Sequence, residues 1–232
     1  MKITFISDTH TKHMQITEDL PGGDLIIHAG DMMNSGYAPI DIDDFCKWYN
    51  SDAIDYDHKI FIAGNHDRYF QLRPEETMEI VNSYKWIDYL QDSCIEIETP
   101  EQMVKIYGSP WQPWFHNWAF NLPRGGSELE AKWDAIPEDV DILITHGPSQ
   151  GTLDTSGDPY NEPNLGCELL TKRIKQLKPK IHVCGHIHGG HGYVFDGHTH
   201  FINASVLNER YSYVNKPVTV EWNPQTNELE FI

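Results

Sequence analysis

Basic side chains are scarce in this 232-residue sequence: 17 Lys and Arg stand against 35 Asp and Glu, a formal charge of −18 at pH 7. A chain so acidic has no field with which to hold the phosphate backbone of a duplex nucleic acid or an anionic membrane surface, so neither is expected as a partner. If its substrate carries phosphate, a local positive centre must overcome that background, and bound cations are the natural source. Cysteine is scarce too. Cys46, Cys94, Cys167 and Cys184 lie far apart and form no C-x-x-C pair, so free thiols and a reducing, cytoplasmic setting are expected. No apolar run reaches membrane-spanning length, and the opening MKITFISDTH enters strand-like sequence without a signal-peptide core or cleavage site. Nor does any low-complexity tract, internal repeat or linker divide the chain, so one domain spanning residues 1–232 is expected.

What the sequence does have is a recurring pattern. Short runs rich in β-branched and aromatic residues end abruptly in Asp, Asn, Gly or His: KITFISDTH, DLIIHAGDMM, KIFIAGNHD, VDILITHGP and KIHVCGHIHGG. Continuous apolar runs of that length suit strands buried on both faces. Between them, PIDIDDFCKWYN, RPEETMEIVNSY, GSELEAKWDAI and GCELLTKRIKQL read as helices. The last forty or so residues change character, with GYVFDGHTHFINAS and VTVEWNPQTNELEFI each reading as an antiparallel hairpin. The expected fold is therefore α/β, a four-layer sandwich of two mixed sheets packed face to face with helices outside.

Ligands of open α/β sheets gather beyond the carboxyl ends of the strands, where this sequence concentrates its polar residues. Those ends supply Asp8 and His10, Asp31, Asn65 and His66, His146, and His186 and His188. Asp, Asn and His are hard to borderline ligands suited to divalent first-row metals, and a carboxylate can bridge two of them. The D-x-H and H-x-H spacings serve such a site if the chain turns just past each strand, so that both side chains reach one rim. Glycine before Asp31, Asn65 and His186 permits the sharp turn and the close approach.

The blocks D-x-H, G-D, G-N-H-D, a later His and G-H-x-H stand here in the order found in the calcineurin-like metallophosphoesterase superfamily, which the sequence resembles over nearly its whole length. Longer strings, among them GSPWQPWFHNWAFNLPRG, GCELL, HVCGHIHGGHG and INAS, are similar to its metallophosphoesterase-domain-containing branch. The resemblance implies two divalent metal ions, Mn or Fe in the family, with Zn, Ni or Co also permitted by the ligand types. Asp8, His10 and His188 would hold one, Asn65, His146 and His186 the other, and Asp31 both. It further implies hydrolysis of a small phosphate-ester or nucleotide substrate, cyclic nucleotides included, by water ionised between the cations. His66 would act as the catalytic general acid.

The G-D block departs from one part of the pattern. Protein phosphatases of the superfamily continue with an Asp and an Arg, whereas GDMMNSG carries Asn34 and Ser35, which supply neither a carboxylate nor a guanidinium fork. Phosphodiesters are favoured, with a phosphomonoesterase, or a metal-binding scaffold of negligible activity, as the alternatives.

The remaining residues read more simply. His28 and His182 sit inside apolar strands as core histidines, His198 and His200 flank a turn at the surface, and Cys184 is a small buried residue. DIDD and EIETPEQ read as solvated acidic surface, and SPWQPWFHNWAF as a packed loop, with a wall for stacking a nucleobase as the alternative. His191 has no assigned role.

Overall fold

The computed structural model describes residues 1–157 and 164–232. In chain order the strands are β1 (Lys2–Ile6), β2 (Gly23–His28), β3 (Tyr56–Phe61), β4 (Asp88–Tyr89), β5 (Ser93–Glu98), β6 (Met103–Ser109) and β7 (Gln112–Pro113). There follow β8 (Asn121–Leu122), β9 (Ile142–Thr145), β10 (Ile181–Cys184), β11 (Gly192–Phe195), β12 (His200–Asn203), β13 (Val218–Trp222) and β14 (Leu229–Phe231). The helices are α1 (Pro39–Tyr49), α2 (Arg68–Leu72), α3 (Pro74–Val81), α4 (Ser127–Asp134) and α5 (Glu168–Leu177).

Two mixed six-stranded sheets result, in the orders β14–β13–β1–β2–β3–β4 and β11–β12–β10–β9–β6–β5. In the first, β1 to β4 are parallel and the C-terminal hairpin β13–β14 joins through an antiparallel pair with β1. In the second, β12, β10, β9 and β6 are parallel, and β11 and β5 close the edges as antiparallel hairpin partners.

Alternation along each strand divides the apolar residues among three cores. Ile3, Phe5, Ile27 and Ile60 of the first sheet meet Ile106, Ile142, Ile144 and Val183 of the second. Ile6, Ile26 and Phe61 point the other way, onto Phe45 and Tyr49 of α1 and Val81 of α3. Leu143 likewise turns outward to Leu129 and Trp133 of α4 and Leu170 and Ile174 of α5. The C-terminal halves of the central strands read as mostly apolar because both of their faces are covered. The four-layer sandwich expected from the sequence is the observed one.

Two features differ from the sequence reading. EIETPEQ does expose Glu96, Glu98 and Glu101, but it forms the end of the β5–β6 hairpin, whose Ile97, Val104 and Ile106 are buried in the inter-sheet core. His200 is not at the surface. It is 4% exposed, with Nδ1 2.8 Å from the Tyr193 hydroxyl and Nε2 2.8 Å from the Asn227 carbonyl, because the turn of the β13–β14 hairpin covers it. His198, beside it, is exposed as expected. His28 and His182 are core histidines, their Nε2 atoms 2.9 and 2.8 Å from the hydroxyls of Thr9 and Thr145, and burial lowers each to about 3.

Candidate metal centre

Both sheets end at one rim. Asp8 and His10 follow β1, Asp31 follows β2, and Asn65 and His66 follow β3, while from the second sheet His146 follows β9 and His186 and His188 follow β10. Three groups of possible ligand atoms, each within 4.8 Å of one another, form there: Asp8, His10 and His188; Asp31, His146 and His186; and His10, Asp31 and His66. Asp31 belongs to two of them. Its Oδ2 lies 3.3 Å from His146 Nε2 and 3.8 Å from His10 Nε2, and Asp8 Oδ1 lies 3.4 Å from His188 Nε2. Asn65 joins through its Oδ1, 2.9 Å from His146 Nε2.

The backbone aims these groups. Asp8, His10, Asp31 and His186 all have positive φ, at 55°, 41°, 59° and 66°. This left-handed conformation is uncommon for residues other than glycine and recurs at functional sites. It turns the chain sharply at the strand end, which lets both members of D-x-H face the rim. The glycines make the approach possible. A Cβ on Gly64 would overlap Asp31 Oδ1, one on Gly185 would overlap Asp8 Oδ2, and one on Gly30, at φ +99°, would stand 2.6 Å from His146 Nδ1.

Tautomers are fixed in the same sense. His10, His146 and His188 each donate an Nδ1–H to a backbone carbonyl, of Met33, Ala29 and Asn208, at 3.0, 2.9 and 2.9 Å. Each Nε2 then presents its lone pair to the rim, the arrangement in which a carbonyl behind the ring orients a metal-binding imidazole. His10 Nε2 is buried without a hydrogen-bond partner. Around His146, a ring lone pair, a carboxylate oxygen and an amide oxygen face one another with no donor between them. A cation, or an added proton, is what that geometry accommodates.

The electrostatics agree. Burial opposes charge on His146 and His188, but Asp31 beside the first and Asp8 beside the second raise both from 6.5 to about 9. Burial also opposes ionisation of Asp8 and Asp31, yet the surrounding imidazoles hold both carboxyls well below the usual range. His10 and His186, where burial prevails, fall to about 4 and about 3. In metal-free protein, protons on His146 and His188 therefore stand where cations would. Because both folded-state values are raised, the stability these protons contribute is complete below pH 6.5 and is lost as pH rises through about 9. Metal affinity runs the opposite way, increasing over that interval as fewer protons must be displaced. Calorimetric titration of chelated protein with Mn²⁺ in buffers of different ionisation enthalpy checks this, and an affinity that stays flat across the interval contradicts it.

Three supporting residues carried no assignment in the sequence reading. Asp67, the last residue of AGNHD, is fully buried; its Oδ2 accepts the N–H groups of Asp31 and Gly64 at 2.9 and 2.7 Å, and its Oδ1 accepts that of Met33 at 2.9 Å. It ties the β2 and β3 loops together. Ser205 donates to Asp8 Oδ2 at 2.8 Å, and Asn203 Nδ2 donates to the Ile187 carbonyl at 2.9 Å, so INAS braces both Asp8 and the GHIH turn. The G-N-H-D and INAS strings marked these places without revealing what they do.

The aromatic string divides. Phe120 is buried and Trp111 packs against it, as a packed loop requires. Trp118 instead stacks on His66 at 4.0 Å, and Phe115 meets His186 edge-on at 5.5 Å. His66 also contacts the His10 ring edge-on at 4.6 Å, and its Nδ1 faces the Asn34 carbonyl. A cleft of about 200 Å³ opens over the rim, bordered by His66, His186, His188, Phe115, Glu209 and Tyr211. Half-buried His191 is not among the residues that line it.

A four-layer sandwich that brings Asp, Asn and His from both sheets to one rim has the architecture of a binuclear metallohydrolase. The family model for the calcineurin-like phosphoesterases matches residues 1–190, and the chain belongs to that family. It is 41% identical over 233 residues to human Metallophosphoesterase domain-containing protein 1, a match covering 93% of this chain and 69% of that protein. Among solved structures, TT1561 of Thermus thermophilus superposes with a TM-score of 0.63 at 14% identity, covering 99% of this chain and 97% of the other. The phosphopantetheinyl hydrolase PptH of Mycobacterium tuberculosis superposes with a TM-score of 0.58 at 14% identity, covering 90% of each chain. At these identities the two structures share the fold. Family membership and the Asp/His clusters together point to a binuclear divalent-metal site and to hydrolysis of phosphate esters. Among the described residues, no helix is long and apolar enough to cross a membrane.

Proposed function

We propose that this chain is a dimetal phosphodiesterase acting as one domain, residues 1–232, in the cytoplasm on small or nucleotide phosphodiesters. Asp8, His10 and His188 would hold one cation, Asn65, His146 and His186 the other, and Asp31 both, with Mn or Fe as the metals. When bound, the pair supplies Lewis-acid charge that ionises water near neutral pH and neutralises the reacting phosphoryl group. The chain's own residues do the rest. The loops held by Asp67 and Ser205 keep the ligands in register before substrate arrives. His66, its Nδ1 on the Asn34 carbonyl and one face on Trp118, is left with Nε2 as the atom that passes a proton to the departing oxygen.

One observation carries the preference for diesters: no Lys or Arg is among the described residues lining the cleft, and Glu209 is. A terminal phosphate dianion would find no guanidinium or ammonium beyond the metals, whereas the single charge of a diester is met by the cations alone. Turnover of bis(p-nitrophenyl) phosphate and p-nitrophenyl phosphate by Mn-loaded protein tests this. The diester is expected to have the higher kcat/KM by roughly tenfold or more, about 1.4 kcal/mol in the barrier. A ratio of one or below selects the monoesterase. Turnover of neither above an Asn65→Ala/His146→Ala control selects the scaffold.

A further inference from the structure

We propose that Arg68 is a positioning residue for the general acid: its guanidinium, lying on the Trp118 indole, holds that ring against His66 and so fixes where His66 Nε2 points. The proposal rests on the reading of His66 as the acid. Arg68 opens α2, two residues beyond His66. Its Cζ stands 4.4 Å from the centre of the Trp118 ring and 5.1 Å from that of Tyr37, and the Trp118 ring is stacked on His66 at 4.0 Å and 24°. A run of flat groups therefore leads from Tyr37, 57% exposed, to the buried acid. Arg73 and Arg124 are paired with Glu76 and Glu168, and Arg173 donates to backbone carbonyls. Among the described residues Arg68 joins no ion pair, and its Nε is buried without a hydrogen-bond partner. In a chain with 35 acidic residues, a cation left unpaired over two aromatic rings is held by those rings.

The acid needs such a support. Asp31 Oδ1 accepts the His66 N–H at 2.7 Å, and the Asn34 carbonyl, a neutral acceptor, faces its Nδ1. Those contacts hold the backbone and one corner of the imidazole, and a partner on the face of the ring stops it swinging about that corner. Trp118 is that partner. Its carbonyl is tied by Asn121 Nδ2 at 3.2 Å, while its indole makes no hydrogen bond among the described residues, so the guanidinium is what pins the indole in place. Both ends of the run are joined to the acid through the backbone as well. Gly36, at φ +79°, lies between Asn34 and Tyr37, and a Cβ there would stand 1.8 Å from the His66 carbonyl oxygen and 2.5 Å from the Arg68 nitrogen. The loop that carries Asn34 and Tyr37 is thereby pressed onto the segment that carries His66 and Arg68.

Two measurements test the proposal. The first is the kinetics of Mn-loaded protein on 2′,3′-cyclic AMP, whose departing group is an alkoxide, and on bis(p-nitrophenyl) phosphate. Arg68→Ala is expected to lower kcat for the cyclic nucleotide roughly 2- to 30-fold, the range of a cation–π contact, with KM and metal content held and a much smaller loss for the p-nitrophenyl ester. Arg68→Lys keeps the cation and recovers most of the loss, whereas Arg68→Met does not. In a His66→Ala background Arg68→Ala has no further effect, because the two residues act in one step. The second is histidine-selective NMR of Zn-loaded protein, which needs no turnover. The ring current of the indole displaces the His66 ring protons in wild type, and Arg68→Ala moves them toward their positions in Trp118→Leu. Equal kcat losses on both esters, losses that add in the His66→Ala background, or His66 resonances that Arg68→Ala leaves in place overturn the proposal. If His66→Ala itself loses equally on both esters, the acid reading has failed, while shifted resonances still support Arg68 as the residue that holds the ring. If His66→Ala shows the expected leaving-group dependence and Arg68→Ala changes nothing, the proposal fails alone.

Discussion

Asp31→Ala is expected to lower kcat/KM for a phosphodiester by roughly three orders of magnitude or more and to reduce bound metal from two equivalents to one or fewer. Asp31 is the carboxylate that two of the three groups of possible ligand atoms share, with Oδ2 3.3 Å from His146 and 3.8 Å from His10. Its Oδ1 accepts the His66 N–H at 2.7 Å, so the substitution also frees the segment that carries the proposed acid. Asp31→Asn separates the two contributions, since the amide oxygen can keep the bond to His66 while the bridging charge is lost. Inductively coupled plasma mass spectrometry alongside steady-state kinetics reads both quantities. Full metal content with activity within a few-fold of wild type would remove Asp31 from the bridging position.

His66→Ala is expected to act on the chemistry and leave the metals in place. For an alkyl leaving group the loss should be roughly 10²- to 10⁴-fold in kcat, the usual size of general-acid assistance, whereas p-nitrophenolate departs without a proton and should lose little. Because a His66 ring nitrogen comes within 4.8 Å of ligand atoms of His10 and Asp31, metal content must be measured in the same preparation. Unchanged metal with a steepened leaving-group dependence supports the acid. Equal losses for both ester types, or loss of metal, would make His66 a structural or ligand residue instead. Trp118→Leu, which removes the ring stacked on His66, should reproduce the same leaving-group dependence in weaker form.

The parts of the site that sequence patterns revealed share one physical origin. Strands covered on both faces are mostly apolar, so the Asp, Asn or His that follows KITFIS, LIIHAG, IFIAG, DILIT and IHVCG stands out as the place where the strand ends and the loop begins. Gly30, Gly64 and Gly185 were legible for a related reason, because a side chain at any of them would collide with a neighbouring candidate ligand. Much of what orients those ligands is backbone. The carbonyls of Ala29, Met33 and Asn208 fix three imidazoles, and a carbonyl leaves no mark on residue identity. Asp67 and Ser205 act through hydrogen bonds between segments far apart in the chain, Ser205 from 197 residues beyond Asp8, so only the folded arrangement shows their roles. The β5–β6 hairpin was hidden by its own alternation, since exposed glutamates interrupt its buried isoleucines, and His200 by a cover supplied from another hairpin.

Two cations sharing a cage built from both sheets are the centre of the proposed chemistry. Anomalous diffraction at the manganese edge, from crystals of Mn-loaded protein, tests it most directly. Two peaks roughly 3.5–4 Å apart are predicted on either side of Asp31, one among Asp8, His10 and His188 and the other among Asn65, His146 and His186. A single peak, or none at this rim, would contradict it.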